Sequence, residues 1–206
     1  MVAIFLPRGC DDVHEYDLIA EWYASERDHQ TGLPEARELA ACIPHGSLVL
    51  DVGCGNGIPI TRALLAAGQR VVGLDSSGAM LGKFRGNCRE SFAVRGMVQS
   101  CPFGDGVFDA AVAWGVMFHL GPEDAIKAIA NISRMVKRGA PFLFTSGDVD
   151  AFDAKEGEMN GVTFRYYSYS VDSYRRILGE NGFTLVDVHA DSGKNTYYLA
   201  KKGEAR

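Results

Sequence analysis

The segment Leu50-Asp51-Val52-Gly53-Cys54-Gly55-Asn56-Gly57-Ile58-Pro59 decides how this chain is expected to fold. It continues a short apolar run over residues 47–52 that predicts a buried strand, and it leads into a helical pattern over residues 58–67. Because glycine lacks a Cβ atom, the alternating glycines allow a tight turn and let a ligand approach the backbone. The free N–H groups of the following helix attract a carboxylate or a phosphate. An ordinary glycine-rich turn has the same composition, so the rest of the chain has to indicate whether this loop binds a ligand.

Apolar runs alternate with helical patterns on both sides of this loop, which predicts a parallel sheet with helices on both faces. The last two predicted strands flank the turn-forming segment Asp191–Asn195 and predict a C-terminal antiparallel hairpin. Residues 148–161 are acidic and predict a loop. The expected fold is α/β, with a Rossmann-like, mostly parallel seven-stranded sheet. The predicted strands cover residues 47–52, 70–75, 96–99, 107–113, 140–146, 183–188 and 196–201, and the predicted helices cover residues 12–28, 33–42, 58–67, 78–90, 122–136 and 171–180.

An acidic residue stands at the end of the second predicted strand, at Asp75. In an open parallel sheet, ligands bind at the carboxyl ends of the strands, where the strand order reverses. A carboxylate at that point can accept two hydrogen bonds from the 2′,3′-diol of a ribose. A dinucleotide-binding fingerprint would need a third glycine at position 58, where this chain has Ile58, so that match fails.

Three segments then point to a known family. Residues 49–57 read V-L-D-V-G-C-G-N-G, residues 71–77 read V-V-G-L-D-S-S, and residues 101–112 read C-P-F-G-D-G-V-F-D-A-A-V. Together they resemble the class I S-adenosylmethionine-dependent methyltransferases, in which the third segment has the form L-P-F-x-D-x-x-F-D-x-V. The resemblance covers about residues 12–201. It implies transfer of a methyl group from S-adenosylmethionine to O, N, S or C of an acceptor, with S-adenosylhomocysteine as the product.

The resemblance also assigns residues to the cofactor. It implies that Gly53, Gly55 and Gly57 line the methionine part, that Asp51 organises this loop and its ammonium partner, and that Asp75 holds the ribose. The segment before Pro102 in this family normally carries an acid or an amide that reads the adenine, and this chain departs from the commoner pattern because it has no Asp there. The other residues implied at the cofactor are Ser76 and Met80 near the ribose and adenine, Gln99, Ser100 and Cys101 before Pro102, and Tyr16 and Tyr23 in the helix that covers the cofactor.

The acceptor side of the site is expected after the fourth predicted strand. His119 lies there and could take a proton as the methyl group is transferred, or it could cap the helix at Pro122 or orient the loop. Trp114 could pack against the cofactor or could be a plain core aromatic. Residues 164–169 are rich in aromatic side chains, and either wall the acceptor pocket or form an ordinary strand with one buried face.

Two sequence features favour a small-molecule acceptor over a nucleic acid. The helix motif Tyr16-Asp17-x-Ile-Ala-x-x-Tyr23 looks like the small-molecule branch of the family, and the N-P-P-Y or D-P-P-Y motif of base- and amide-methylating enzymes is missing after the fourth strand. A net charge of −5 argues against a large phosphate-binding surface. The basic residues Lys127, Arg134, Lys137 and Arg138 are interpreted as the solvated face and basic end of one helix.

The cysteine pattern, the apolar runs and the length of the chain argue against a metal site, a membrane span and a second domain. The five cysteines form no C-x-x-C pair, so no metal site is expected and reduced thiols of a cytoplasmic protein are the simplest interpretation. No run approaches the roughly 18 apolar residues that a membrane span needs, so no membrane partner is expected. The length of 206 residues predicts one domain, with a helical cover over residues 12–45, a cofactor-binding core over 46–147 and an acceptor-side connection with the hairpin over 148–206.

Two alternatives from other functional classes stay open at this point. One is a nicotinamide-dependent oxidoreductase, against which the missing third glycine and the C-terminal hairpin count. The other is a protein that binds S-adenosylmethionine without catalysis. The sequence leaves open the acceptor, the atom that is methylated and the oligomeric state.

Overall fold

The computed structural model describes residues 14–26, 28–190 and 195–204. These residues form α-helices, a short 3-10 helix (Met117–His119) and β-strands. The helices are α1 (Glu15–Glu26), α2 (Leu33–Ala41), α3 (Ile60–Ala66), α4 (Gly78–Asn87), α5 (Pro122–Met135) and α6 (Val171–Glu180). The strands are β1 (Leu48–Val52), β2 (Arg70–Asp75), β3 (Phe92–Arg95), β4 (Ala110–Ala113), β5 (Pro141–Ser146), β6 (Asp153–Met159), β7 (Val162–Ser168), β8 (Phe183–Ala190) and β9 (Thr196–Lys202).

Seven of the strands form one sheet in the order β3-β2-β1-β4-β5-β9-β8. Strands β1 to β5 pair in parallel, whereas β9 is antiparallel to both β5 and β8. The predicted seven-stranded sheet and its C-terminal antiparallel strands are therefore confirmed, although residues 191–194 of the predicted turn lie outside the described residues. The strand order reverses between β1 and β4, so their carboxyl ends are where a ligand is expected.

The strands alternate between two cores because successive side chains point to opposite faces of a sheet. In β1, Leu50 and Val52 belong to the apolar cluster that α5 and α6 cover, whereas Val49 belongs to the cluster that α2 and α3 cover. In β5, Phe142 packs into the first cluster and Leu143 into the second. This double-sided burial explains why the central strands read as continuous apolar runs.

The third strand does not lie where the sequence predicted it. Residues 96–99 were expected to form it, but β3 is Phe92–Arg95, and it pairs in parallel with β2. The Gly96 N–H donates to the Asp75 carbonyl at the end of this pairing. The Asn131 side chain then donates to the Val98 carbonyl at 2.7 Å and draws the following segment toward α5. The prediction was wrong because this edge strand exposes most of Phe92 and lacks the apolar pattern of a buried strand.

The acidic segment 148–161 was expected to be a loop, and that prediction was wrong as well. Within it, β6 pairs antiparallel with β7 as a separate two-stranded hairpin. The connection is Asn160-Gly161, and both residues have positive φ, at 47° and 77°. Asn-Gly is the favoured pair of a two-residue hairpin turn because both positions need positive φ. That dipeptide is the sequence signal that could have identified the hairpin.

No helix among the described residues is long and apolar enough to cross a bilayer.

Candidate active site

A cavity of about 590 Å³ lies at the carboxyl ends of β1, β2 and β4. The helix α1 and the strand β7 lie over it and contribute side chains to its wall. Ten of the fourteen residues that the sequence analysis assigned to the site line this cavity, whereas Asp51, Gly57, Ser100 and Cys101 do not. The ten are Tyr16, Tyr23, Gly53, Gly55, Asp75, Ser76, Met80, Gln99, Trp114 and His119.

The three glycines of the loop after β1 have different roles. A Cβ atom at Gly53 would lie 2.0 Å from Val116 Cγ2, and one at Gly57 would lie 2.5 Å from Cys88 Sγ. These two glycines let the loop pack against its protein neighbours. A Cβ atom at Gly55 would meet nothing within 4 Å, and Gly55 lines the cavity. Gly55 is therefore the position where a ligand could touch the backbone.

The Asp75 carboxylate holds the loop in place at the end of β2. Its Oδ2 accepts the Gly55 N–H and its Oδ1 accepts the Ser77 N–H, both at 2.8 Å. Burial raises the pKa of this carboxyl, although both hydrogen bonds act against that shift. Each carboxylate oxygen has a second lone pair, so Asp75 can also accept hydrogen bonds from a ligand in the cavity. Ser76 and Met80 line the wall beside it.

Asp51 lies behind the cavity wall. It is 1% exposed, and its Oδ2 accepts the hydroxyl of Thr61 in α3. Burial, with a smaller contribution from the nearby Asp75, raises the pKa of Asp51 to about 7, although the bond from Thr61 acts against that shift. The bond to Thr61 joins β1 to the helix that follows the glycine loop, so Asp51 supports the loop from beneath.

An ion-dipole contact fastens α1 over the cavity. Asp17 Oδ1 accepts the Ser77 hydroxyl at 2.5 Å and the Ala79 N–H at 3.0 Å, at the beginning of α4. Burial alone would raise the pKa of Asp17, but these hydrogen bonds and that from the His14 N–H outweigh it and lower the pKa. Asp17 belongs to the helix motif that begins at Tyr16, but the motif alone did not indicate this role.

The segment before Pro102 reaches the cavity only at its beginning. Gln99 lines the wall, whereas Cys101 is buried and its thiol contacts Met135 in α5. Asn131 donates to the Cys101 carbonyl at 3.2 Å and so turns this part of the segment toward α5. Of the three residues expected here, Gln99 is the one that lines the cavity.

Trp114 is buried in the core, as one of its two interpretations predicted, and its packing against the cofactor stays a prediction. It is 7% exposed, its ring lies 4.7 Å from that of Tyr197, and a Cβ atom at Gly32 would meet it at 2.6 Å. It nevertheless lines the cavity at the carboxyl end of β4. Trp114 is a core aromatic that presents one edge to the site.

His119 bridges α1 and β7 at the far side of the cavity. Its Nδ1 lies 3.3 Å from the Arg165 carbonyl, and its Nε2 lies 3.0 Å from the Tyr16 hydroxyl. Because a carbonyl only accepts, Nδ1 carries the proton, and Nε2 accepts the Tyr16 O–H. Burial lowers the pKa of His119 to about 4, so the imidazole is neutral at pH 7.

The hairpin of β6 and β7 supplies a wall that sequence analysis identified only in part. The aromatic run forms part of β7, as one of its two interpretations predicted, and its Phe164 and Tyr167 line the cavity. That the run walls an acceptor pocket stays a prediction. Glu156 and Arg165 lie at the cavity and form an exposed ion pair with a 3.2 Å N–O distance. Glu156 was not predicted at the site because its segment was expected to be a loop, whereas it lies in β6.

Among the described residues, no group of three or more His, Cys, Asp or Glu side chains is arranged to hold a metal ion.

Comparison with known proteins identifies the family. Residues 49–139 match the methyltransferase domain family. The chain is 30% identical over 152 residues to an uncharacterized methyltransferase of Geobacillus sp., a match that covers 68% of this chain and 71% of that protein. It is 29% identical over 160 residues to the magnesium-protoporphyrin O-methyltransferase of Synechocystis sp., covering 74% of this chain and 69% of that protein. The chain therefore belongs to the class I S-adenosylmethionine-dependent methyltransferases, whose methyl donor is S-adenosylmethionine.

Another relative has a different kind of acceptor in its name. The chain is 33% identical over 135 residues to the tRNA (carboxymethyluridine(34)-5-O)-methyltransferase of Xenopus tropicalis. That match covers 64% of this chain but only 20% of the Xenopus protein. Among solved structures, the CcbJ methyltransferase of Streptomyces caelestis has a TM-score of 0.77 at 17% identity, covering 94% of this chain and all of that one. This likeness confirms the fold.

Proposed function

We propose that this protein transfers the methyl group of S-adenosylmethionine to a small molecule that enters the cavity beside His119. The observation that carries the proposal is one continuous cavity that joins the glycine loop and Asp75 to His119 and Tyr167. Methyl transfer needs donor and acceptor in line and in contact, and a shared cavity supplies that proximity. In this proposal residues 12–45 cover the cofactor, residues 46–147 bind it and residues 148–206 carry the acceptor side.

The cofactor half of the cavity has the chemistry that S-adenosylmethionine requires. Gly55 offers open backbone, and Asp75 keeps lone pairs for the ribose hydroxyls. Gln99 offers an amide for the adenine, and Tyr16 and Tyr23 cover the site from α1. Met80, Ser76, Gly53 and Trp114 complete the wall, with Asp51 and Gly57 supporting the loop from behind.

The acceptor half favours a small molecule. The whole cavity of about 590 Å³ lies within the roughly 300–1,000 Å³ of ordinary small-molecule sites. Aromatic rings on its wall, from Tyr16, Phe164 and Tyr167, suit a flat or apolar acceptor. A relative named magnesium-protoporphyrin O-methyltransferase supports this class of acceptor.

A tRNA acceptor is the second candidate, because the Xenopus relative carries that activity in its name. Phosphate binding requires uncompensated basic side chains. The basic group on α5 and beyond it is largely compensated, since Lys127, Arg134 and Lys137 all form ion pairs with carboxylates. The charge distribution therefore favours the small molecule.

Two measurements test the proposal. Calorimetry with S-adenosylhomocysteine and with NADH separates the methyltransferase from an oxidoreductase, and we expect only the former ligand to bind. Methyl-labelled S-adenosylmethionine is then incubated with a panel of phenols, carboxylic acids, amines and thiols, and separately with unmodified tRNA. Transfer to a panel member supports the proposal. Transfer to tRNA alone would overturn it, and binding without any transfer would favour a non-catalytic protein.

A further inference from the structure

The two hydrogen bonds of the His119 ring determine which of its nitrogens carries the proton. Cofactor binding alone does not require this arrangement. The Arg165 carbonyl accepts from Nδ1–H, which leaves the lone pair of Nε2 to accept the Tyr16 O–H. A phenolic oxygen that donates its own proton can still accept hydrogen bonds on its lone pairs. Tyr16 lines the cavity, so an acceptor in it can donate to the Tyr16 oxygen. The chain of donors then runs from the acceptor through Tyr16 to His119.

We propose that Tyr16 is a catalytic residue that relays the acceptor's proton to His119 Nε2, so that the substrates are hydroxyl or N–H compounds that must lose a proton on methylation. This inference rests on the proposed function. S-Adenosylmethionine supplies the methyl group, whose carbon bonds to the acceptor atom while the carbon–sulfur bond breaks and leaves its electron pair on sulfur. The acceptor's proton passes to Tyr16 Oη, and the former Tyr16 proton passes to His119 Nε2. The imidazolium later releases its proton to water. Tyr16 needs no further proton, because it has received that of the acceptor.

Charge balance supports this route. A bound sulfonium brings one positive charge into the cavity, and the product sulfur is neutral. A proton on His119 replaces that charge, so the net charge of the cavity stays the same through the reaction. Burial disfavours the new imidazolium most and His14 also opposes it, whereas its Nδ1–H bond to the Arg165 carbonyl and the nearby Glu15 favour it. The other groups that face the ring are the aromatic side chains of Phe118, Phe164 and Tyr166.

The surroundings of Tyr16 hold the relay in one geometry. Its ring packs against Phe164 at 5.0 Å, and meets Tyr23 edge-on at 5.4 Å. Asp17, the next residue, anchors the helix at the beginning of α4. The relay therefore joins three segments that are far apart in sequence, namely α1, the 3-10 helix after β4 and β7. A side chain held so firmly loses little freedom when the proton moves.

Nuclear magnetic resonance of the histidine ring nitrogens tests the relay without a known acceptor. The protein carries ¹⁵N-labelled histidine and is saturated with S-adenosylhomocysteine or with sinefungin, an analogue that has a cationic amine near the position of the methyl sulfonium. The His119 resonances are assigned from their loss in His119→Gln. We expect a neutral His119 at pH 7 with its proton on Nδ1, and a higher pKa with S-adenosylhomocysteine than with sinefungin. A proton on Nε2, or equal pKa values in the two complexes, would overturn the relay.

The matched variants are Tyr16→Phe and Tyr166→Phe, because both rings lie against His119 and the Tyr16 hydroxyl donates to its Nε2. Tyr16→Phe removes a donor to the neutral ring, so we expect the pKa of His119 to rise and its Nε2 resonance to move, whereas Tyr166→Phe leaves both unchanged. Tyr16→Phe should also lower turnover of a hydroxyl or amine member of the panel by about 10²-fold. It keeps the ring that covers the cofactor and removes only the hydroxyl, so the affinity for S-adenosylhomocysteine should change far less than the turnover. Equal effects of the two variants would contradict the proposal. Failure of both ligands to bind would instead overturn the proposed function, and the relay with it.

Discussion

The two halves of the cavity are built by different means. The half that we propose for the cofactor, called the cofactor half, consists of backbone N–H groups and a buried carboxylate that lie within one stretch of alternating strands and loops, from Gly53 to Asp75 and Ser77. The half that we propose for the acceptor, called the acceptor half, consists of side chains from α1, the segment after β4 and the β6–β7 hairpin, and its central contact joins Tyr16 to His119. The sheet and its loops form the cofactor half, whereas the elements that pack over the sheet form the acceptor half. Substitutions should therefore separate cofactor binding from acceptor use.

The largest effect is expected where the two halves touch, at Gly53. Gly53→Ala places a Cβ atom against Val116, in the segment after β4, and adds a side chain to a residue with φ of 63°. We expect the free energy of unfolding to fall by about 2–4 kcal/mol, since overpacking costs about 1–3 kcal/mol and the left-handed conformation about 1 kcal/mol more. Urea unfolding measures this loss.

Gly55→Ala is the control for Gly53→Ala. Gly55 also has positive φ, but a Cβ atom there meets open space, so the variant should lose only about 1 kcal/mol. A second substitution, Val116→Ala, should recover part of the loss in Gly53→Ala. Equal losses of stability in Gly53→Ala and Gly55→Ala would show that the glycine loop and Val116 are not in close contact.

The cofactor half should depend most on Asp75. Asp75→Asn removes a charge that receives two backbone N–H groups and turns one oxygen into a donor facing one of them. We expect affinity for S-adenosylhomocysteine to fall by about 1.5–3 kcal/mol, the value of a hydrogen bond to a charged group. Calorimetry measures it, with the exposed Asp105→Asn as the control, whose ion pair with Arg134 lies far less buried. Unchanged affinity in Asp75→Asn would remove the ribose assignment.

The contributions of Asp51 and His119 to the stability of the protein should change with pH in opposite directions. Burial raises the pKa of Asp51 to about 7, so the folded protein binds that proton more tightly and loses stability as the pH rises from about 4 to 7. Burial lowers the pKa of His119 to about 4, so the protein loses stability as the pH falls from about 6.5 to 4. The limiting slope for either group is about 1.4 kcal/mol per pH unit.

Urea unfolding between pH 4 and 7.5 separates these two contributions. Subtracting the curve of Asp51→Asn from that of the wild type should leave a term that falls with rising pH, and subtracting that of His119→Gln should leave one that falls with decreasing pH. Two difference curves of the same sign would mean that one of the groups is not in the environment described above.

The smallest effect is expected at the acceptor wall, at Tyr167. Tyr167→Ala removes an aromatic face from the cavity without touching the glycine loop. We expect the KM for the acceptor to rise roughly fivefold, which corresponds to a loss of about 1 kcal/mol in binding free energy. The affinity for S-adenosylhomocysteine should stay unchanged. Glu158→Ala, exposed on the same hairpin and away from the cavity wall, is the control. A loss of cofactor affinity in Tyr167→Ala would remove the distinction between the halves.

Much of the fold follows from local patterns. The buried strands β1, β2 and β5 and the helix α6 lie where the sequence predicts them, because apolar runs and helical periodicity are local signals. The pattern was misleading at β3 and β6, where an edge strand and a solvent-exposed hairpin bury too little to leave an apolar alternation. The Asn160-Gly161 turn was a local signal for the hairpin that was passed over.

The sequence by itself determined that Gly55 and Asp75 lie together, since they stand at the carboxyl ends of neighbouring parallel strands, which meet at one edge of the sheet. Tertiary structure alone decided that Asp17 fastens α1 to α4, and that His119 lies between Tyr16 and the Arg165 carbonyl. These contacts join residues 46 to 103 positions apart, too far for any periodicity to specify. Their geometry depends on how α1 and the β6–β7 hairpin pack over the sheet, and that packing also determines the protonation state of His119.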